Sequence, residues 1–159
     1  MATALHEELK QTRPYLDIEE EAHVAIARTA ALLDRAIAQM LRPHGLTPTQ
    51  YNVLRILRGA GRDGLPTLEI AARMVERTPG VTRLLDRLEQ KGVVVRERSA
   101  EDRRQVFRRL TPAGTELLKS LDRAIDALDD GVLAALTKAE LEELVRLLNK
   151  VRNSDALRR

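Results

Sequence analysis

The sequence predicts a mainly α-helical fold with one small β-hairpin near its middle. Apolar residues recur at helical spacing along most of the 159 residues. After Gly92 the period changes to β-branched residues on either side of a short polar turn. Aromatic residues make up only 2% of the chain, so leucine, valine, isoleucine and alanine must fill the core. The length suits one domain with helical extensions.

Capping signals predict where the helices start. Asp17, followed by three glutamates, predicts a first long helix that Pro43 and Gly45 end. Threonine caps a helix and proline suits its first position, so three further starts follow from Thr47-Pro48, Thr78-Pro79 and Thr111-Pro112. Two sequences also fit the capping box, namely Thr47-x-x-Gln50 and Thr137-x-x-Glu140.

The predicted elements follow one another in the order of a winged helix. A helix-turn-helix is followed directly by a basic hairpin, which is the wing of that fold. Gly131 is expected to interrupt the long helix after the hairpin, and the tail after Arg152 carries no clear signal. The predicted elements are helices at 17–42, 48–59, 67–74 and 79–91, strands at 93–98 and 105–110, a long helix from 112, and a last helix from 138.

Positive charge is concentrated in the middle of the chain. The net charge is only +3, but residues 73–109 hold eleven Lys or Arg against six Asp or Glu, a balance of +5. Residues 116–150 hold five bases against eight acids, a balance of −3. This distribution favours a localised site for a polyanion. A solvated charged surface is the alternative interpretation.

The predicted helix at 79–91 has two faces. An apolar stripe of Val81, Leu84, Leu85 and Leu88 is expected to be buried. The outer face is small and polar near the N-terminus, so it could approach base edges closely, and its arginines could reach guanine edges or phosphates. An ordinary surface helix with scattered arginines is the alternative. The candidate DNA-binding residues are Thr78, Pro79, Gly80, Thr82, Arg83 and Arg87.

The tip of the hairpin is basic as well. An arginine on a protruding tip suits the narrow minor groove, where the potential is most negative. Asp102 is expected to fix the tip by accepting hydrogen bonds from a neighbouring arginine. Asp86 is expected to hold a wing arginine such as Arg98 or Arg104. A charge-balanced exposed turn is the alternative. The candidate contacts of the wing are Arg98, Ser99, Arg103 and Arg104.

Several classes of protein are excluded by composition and motifs. There is no cysteine, hence no disulfide, no thiol nucleophile and no cysteine-based metal site. The sequence has no catalytic triad, HExxH motif or glycine-rich phosphate loop, so neither an enzyme nor a cofactor is expected. No apolar run reaches the roughly 20 residues that span a bilayer, and the N-terminus lacks a signal core, so we expect a cytoplasmic protein. His23 with Glu19 or Glu20 has helical ligand spacing, which leaves a metal-responsive regulator as an alternative.

The ordered motifs resemble the multiple-antibiotic-resistance regulator (MarR) family over about residues 17–150. The resemblance implies a homodimeric winged-helix transcription regulator, usually a repressor, that binds palindromic double-stranded DNA. It implies that Thr78 to Arg87 enter the major groove and that Arg104 enters the minor groove. The motifs that carry it are Leu46-Thr47, Gln50, Val53-Leu54, Ile70-Ala71, Val81-Thr82-Arg83-Leu84-Leu85-Asp86-Arg87-Leu88-Glu89, Gly92-Val93-Val94, Arg96, Asp102-Arg103-Arg104 and Leu110-Thr111-Pro112-Ala113-Gly114.

The resemblance also implies how the chain is organised. Residues 1–16 would be an N-terminal extension, residues 17–46 and 112–159 dimerisation helices, and residues 47–111 the DNA-binding lobe. A small phenolic or anionic effector would bind between helices and lobes and shift the population of lobe spacings. The candidate residues that would bind this effector are His23, Arg28 and Tyr51. The candidate dimerisation residues are Leu121, Ile125, Leu128, Leu141, Leu144 and Leu148.

Two departures from the family pattern lie on the wing. Arg108 occupies a strand position that is usually aliphatic, which indicates either another strand register or an additional phosphate contact. Val95 occupies a position that is often charged. Residues 1–16 are expected to form an extra helix or arm. A helical interaction module that never touches DNA is a further alternative, which explains the leucine stripes but not the basic hairpin; a steep salt dependence would separate the two.

Overall fold

The computed structural model describes residues 4–76, 79–98 and 106–157. It is mainly α-helical with a small antiparallel sheet, which confirms the predicted fold class. The chain divides into two compact units, residues 1–115 and 116–159. Five candidate residues lie outside the described ranges, namely Thr78, Ser99, Asp102, Arg103 and Arg104.

The first unit begins with the predicted extension and continues into the helices of the lobe. The extension contains a short helix, as expected for an extra helix ahead of the common core. Short 3-10 turns at Arg42–His44 and Gly61–Asp63 follow two of the longer helices. The helices that lie entirely within the described part of this unit are α1 Ala4–Glu8, α2 Ile18–Leu41, α3 Pro48–Ala60, α4 Thr67–Arg73 and α5 Val81–Gln90.

Side-chain caps begin α2 and α3 where the sequence predicts. The Asp17 carboxylate accepts the backbone N–H of Glu20 at 2.8 Å. Thr47 and Gln50 form both bonds of the capping box, at 3.2 and 3.1 Å. These bonds satisfy N–H groups that have no partner inside the helix, so the predicted starts are confirmed.

The start of α5 differs from the prediction. The helix begins at Val81, and its N-cap is Gly80 in the left-handed conformation, with φ of +85° and no side-chain cap. The predicted start at Pro79 is therefore wrong by two residues. Glycine reaches this backbone conformation without steric cost, so a turn at Pro79 and Gly80 precedes the helix.

The sheet has three antiparallel strands in the order β1-β3-β2: β1 Leu65–Pro66, β2 Val94–Arg98 and β3 Val106–Leu110. Strands β2 and β3 form the hairpin called the wing below. Arg108 stands opposite Arg96 of β2 and Leu65 of β1. The two-residue strand β1 was not predicted, because it exists only through pairing with residues about forty positions later.

The core of the first unit lies between α2, α3, α4, α5 and the inner face of the sheet. It is almost entirely aliphatic, as the composition predicts, with Tyr51 as its buried aromatic side chain. The buried hydrophobic residues are Leu41, Leu46, Tyr51, Val53, Leu54, Leu57, Leu65, Ile70, Met74, Val81, Leu85, Leu88, Val93 and Val94.

Helix α6 (Pro112–Leu133) begins in the first unit and continues in the second, where α7 (Lys138–Arg152) follows. Gly131 does not interrupt α6, contrary to expectation. A single helical glycine costs only about 1 kcal/mol relative to alanine. The predicted capping box of α7 is present, since Thr137 accepts from Glu140 N–H at 3.3 Å and donates its own N–H to Glu140 at 2.8 Å.

The apolar residues of the second unit differ in burial. Leu118 and Leu121 are completely buried. The prediction that Leu121 belongs to a dimer surface is therefore wrong, because a side chain buried within one chain has no surface left for a second copy. Leu144 is exposed, whereas four candidates are half-buried: Ile125, Leu128, Leu141 and Leu148.

Candidate nucleic-acid interface

One face of α5 and the turn before it is open to solvent. On the opposite side, Val81, Leu85 and Leu88 are buried, as the amphipathic pattern predicts, and Leu84 is half-buried. The open face is small and polar at its start and carries arginines at i and i+4 further along. All described candidates of the recognition helix are exposed, namely Pro79, Gly80, Thr82, Arg83 and Arg87.

The wing lies next to α5 in the sequence and packs on it. Arg96 and Arg98 of β2 are exposed. Arg98, the last residue of β2, pairs with Val106, the first residue of β3. On the other face of the sheet, Arg109 and Glu97 form an ion pair at 2.9 Å within the wing itself.

Arg108 is the buried cation of this region. Only 2% of the residue is exposed, which rules out the interpretation of Arg108 as a phosphate contact. Its Nη1 donates to Glu89 Oε2 at 2.5 Å, and its Nη2 donates to Asp86 Oδ1 at 3.3 Å. Both carboxylates belong to α5, so these bonds join the middle strand of the sheet to the recognition helix.

The role expected of Asp86 needs a correction. Asp86 does hold an arginine of the wing, but that arginine is Arg108 and not the expected Arg98; Arg104 lies outside the described residues. A buried guanidinium requires counter-charges, and Arg108 draws in the two nearest carboxylates of the helix. Glu89 is a functional candidate that sequence reasoning missed. Its spacing of three residues after Asp86 was the available signal, because i and i+3 share a helix face.

The three candidate effector residues do not meet in one site. His23 is exposed. Arg28 forms an ion pair with Glu8 of the N-terminal extension at 2.6 Å. Tyr51 is buried, and the guanidinium of Arg55 lies 5.9 Å from its ring centroid. Tyr51 lines a cavity of about 190 Å³ together with Ile37 and other residues of α2 and α3, and neither His23 nor Arg28 lines it.

A larger cavity lies between the end of α3 and the base of the wing. Its volume is about 580 Å³. Its floor is apolar, with Leu57, Val95 and Leu110, and two arginines, Arg58 and Arg62, stand at its wall. Glu97 and Arg109 also line it, but their charges are paired with each other.

The described ranges contain neither a cluster of metal-ligating side chains nor a membrane-spanning helix. No group of three His, Asp or Glu side chains converges there as a metal site. None of the helices described there combines the length and the apolar character needed to cross a bilayer.

Comparison with known proteins places these features in a family. The family model described as MarR family matches residues 46–106. The HTH-type transcriptional repressor Mb2911 of Mycobacterium bovis is 32% identical over 124 residues, which are 78% of this chain and 88% of that protein.

Two solved structures with bound DNA have the same fold. The complex of S. aureus MepR with DNA has a TM-score of 0.74 at 26% identity, covering 81% of this chain and 94% of that one. Sco3205, a MarR family transcriptional regulator from Streptomyces coelicolor in complex with DNA, has a TM-score of 0.73 at 26% identity, covering 92% and 95%. Mb2911 and Sco3205 are transcriptional regulators and not enzymes, which is the class expected here. The chain is a member of the MarR family of DNA-binding transcriptional regulators.

Proposed function

We propose that this chain is a homodimeric repressor that reads a palindromic site with α5 in the major groove and the wing in the minor groove. The observation that carries the proposal is the open face of α5, where every described candidate is exposed beside a fully apolar inner stripe. The 32% identical relative from Mycobacterium bovis is a transcriptional repressor, which supports the sign of regulation.

The first turn of α5 suits close approach to base edges. Gly80 and Thr82 are small and exposed, so the backbone can come near the floor of the groove. Arg83 and Arg87 extend further and can reach a guanine edge or a phosphate. Arg83, closer to the helix N-terminus, is the proposed base-reading residue, and Arg87 the proposed phosphate contact.

The wing supplies the second contact in this proposal. Arg98 is exposed at the end of β2, next to the segment 99–105 that the sequence predicts to be a polar turn. Ser99, Arg103 and Arg104 of that turn are the proposed minor-groove residues, with Asp102 as the acceptor that fixes the tip. Arg104→Ala should weaken DNA binding without unfolding the protein, because a charged residue in the polar segment between two strands is not expected to belong to the core. Equal affinity of variant and wild type would remove Arg104 from the interface.

Helix α7 supplies the proposed dimer surface. Soluble proteins rarely leave contiguous apolar residues in water, and a second copy of the same surface can cover them with closed symmetry. The exposed apolar residues of α7 are Leu144, Val145, Leu147 and Val151. We propose that they form the dimer surface together with the half-buried residues Ile125, Leu128, Leu141 and Leu148.

An anionic effector is proposed for the cavity at the base of the wing. Its volume of about 580 Å³ lies in the usual range for ligand pockets. The guanidinium groups of Arg58 and Arg62 beside an apolar floor suit a carboxylate or phenolate with an apolar body. Because β2 and β3 form part of the wall, a ligand there could favour one wing position over another. The smaller cavity at Tyr51 is the competing location.

Capture of genomic fragments tests the DNA-binding proposal. Purified protein is incubated with sheared genomic DNA at near-physiological salt, and the retained fragments are sequenced. We expect a few fragments that share an inverted repeat, with half-sites about one helical turn apart. Arg83→Ala/Arg87→Ala is the matched variant and should lose the enrichment. Uniform retention of all fragments by the wild type would contradict sequence-specific recognition.

Methyl-resolved NMR tests the effector location. Benzoate and 2-naphthoate are titrated into protein with labelled leucine and valine methyl groups. Shifts at Leu57, Val95 and Leu110 that vanish in Arg62→Gln would support the cavity at the wing. Shifts confined to Val75, which lines the Tyr51 cavity, would contradict it, as would the absence of any saturable shift.

A further inference from the structure

We propose that Arg108 is a positioning residue for DNA recognition, which locks the wing to the recognition helix and offsets the negative charge of that helix. The inference rests on the proposed function, because it assumes that α5 and the wing act on the same DNA. Arg108 itself touches no nucleotide in this proposal, since only 2% of the residue is exposed.

The position of Arg108 along the sheet is fixed on both sides. It is the central residue of β3, which is the middle strand, and it stands opposite Arg96 of β2 and Leu65 of β1. A shift of β3 by one residue would break both ladders and turn Arg108 to the other face. The guanidinium is therefore a stable anchor on the wing side.

Two separate nitrogens of the Arg108 guanidinium bind α5. Nη1 binds Glu89 and Nη2 binds Asp86, which lie three residues apart on the helix. A guanidinium is planar and rigid, so two donors that point at two carboxylates constrain the rotation of the helix against the strand as well as its distance. A lysine, with one compact charged group, cannot impose the same geometry.

Stability alone does not explain an arginine at this place. Its cross-strand neighbourhood on the same face includes the apolar side chains of Val94 and Leu110, and Val94 is buried. The guanidinium loses its water there, and this desolvation offsets much of the attraction to the two acids. Among the described residues its Nε also lacks a hydrogen-bond partner. An apolar side chain would fill the same space without these penalties, so orientation is the property that the arginine adds.

The second effect is electrostatic. The side chains of Asp86 and Glu89 are 49% and 40% exposed, on the helix that also bears Arg83 and Arg87. Two uncompensated carboxylates close to DNA would repel its phosphates. Arg108 contacts both, so the three side chains carry a net charge of −1 in place of −2. It thereby helps α5 approach DNA from a buried position.

DNA binding of three Arg108 variants separates the two effects. The probes are the inverted-repeat fragment that the wild type retains and a mixed-sequence duplex of equal length. Arg108→Met should bind the inverted repeat roughly tenfold more weakly than wild type. This loss corresponds to about 1.4 kcal/mol, which is a usual coupling energy between neighbouring groups. Arg108→Lys should keep its affinity for the mixed duplex but discriminate less. Arg108→Met with Asp86→Asn and Glu89→Gln should regain affinity for the mixed duplex without regaining discrimination.

Arg109→Met is the matched control. It removes the same charge from the next residue, but the partner of Arg109 is Glu97 within the wing, so the link to α5 stays intact. We expect a smaller loss of affinity that is equal for both probes. If Arg108→Met discriminates between the probes as well as wild type does, or if Arg108→Lys restores full discrimination, the proposal is overturned.

Hydrogen exchange of the free protein tests the lock without DNA. Amides of β2 and β3 should exchange faster in Arg108→Met than in wild type, while those of α3 should not change. Should that variant fail to fold, Arg108→Lys serves in its place. Unchanged exchange in both strands would overturn the lock. A wild type that retains no fragment would instead contradict the proposed function, and the exchange result would still decide the role of Arg108.

Discussion

Gly114 of α6 lies against the backbone of Val93, the residue that precedes β2. A Cβ at this position would lie 2.2 Å from the carbonyl oxygen of Val93 and 3.2 Å from a methyl group of Leu110. The carbonyl cannot move away easily, because it also accepts the N–H of Thr111 at 3.1 Å. Glycine is therefore required at this position because a side chain has no room, and not because the backbone adopts a conformation that favours glycine.

Gly114→Ala should destabilise the protein by about 1–3 kcal/mol, the usual range for overpacking. Urea unfolding followed by circular dichroism measures the effect. Gly131→Ala is the control on the same helix, since a Cβ there would meet nothing within 4 Å. It should stabilise the protein by up to about 1 kcal/mol through helix propensity. If Gly114→Ala proved at least as stable as Gly131→Ala, this account of the packing would be refuted.

Arg83 is exposed near the start of α5, where a guanidinium can reach a base edge. Arg83→Ala should relax the base preference at one position in each half-site, at a cost of about 1–3 kcal/mol if the contact is bidentate. Selection of binding sequences from a randomised pool, with wild type and variant in parallel, gives the preference at every position. Arg146→Ala, an exposed arginine of α7, serves as control. A variant that selects the wild-type motif would show that Arg83 does not read bases.

Helix starts were predicted well where the signal is local. The caps of α2, α3 and α7 each involve a side chain and an N–H only three residues apart, so the sequence contains the whole interaction. The predicted start of α5 was wrong because the backbone conformation of Gly80, and not a side-chain cap, sets where this helix begins. Strand β1 was missed because two residues carry no periodicity, and only pairing with β3 makes them a strand.

The same distinction applies to the candidate site. The open face of α5 follows from the period of its apolar residues, which is local. The ion pairs of Arg108 join residues 19 and 22 positions apart, through a fold that must form first. The sequence therefore marked Arg108 as unusual but predicted neither its burial nor Glu89 as its partner.

The capping box of α7 gives a pH dependence with a definite sign. Hydrogen bonds from the backbone N–H and the hydroxyl of Thr137 hold the pKa of the Glu140 carboxyl below its ordinary value of 4.5. Because the folded form has the lower pKa, the stabilisation is complete above about pH 4.5 and is lost as the pH falls through the folded pKa.

Glu140→Gln should therefore have a lower Tm than wild type at pH 7, and the two should converge in acid. Thermal unfolding at a series of pH values measures the difference. Glu142→Gln, an exposed position on the same helix, controls for the loss of one negative charge. A difference between Glu140→Gln and wild type that stays constant from pH 7 to pH 3 would show that the carboxylate form is not what the cap stabilises.

The proposed assembly links the two units of the chain through function. The first unit carries the exposed face of α5 and the wing, and the second carries the exposed apolar residues of α7. A palindromic site can be read only by two copies held together, because each half-site engages one α5. Binding of the second half-site then becomes intramolecular, which raises the affinity without any new contact. Loss of the α7 surface should thus lower DNA affinity without altering a single DNA-contacting residue.

Val145→Asp tests this dependence. Val145 is 57% exposed in the single chain, so an aspartate there is tolerated by the monomer but places two like charges in an apolar dimer surface. Sedimentation velocity should give a monomer, and affinity for the inverted repeat should fall by at least about 100-fold through lost avidity, while affinity for one half-site stays that of the wild type. Ala139→Asp adds the same charge at an exposed position on the opposite face of α7 and should remain dimeric. If Val145→Asp sediments as a dimer, α7 is not the dimer surface; if it is monomeric yet binds the inverted repeat like wild type, recognition does not require two copies.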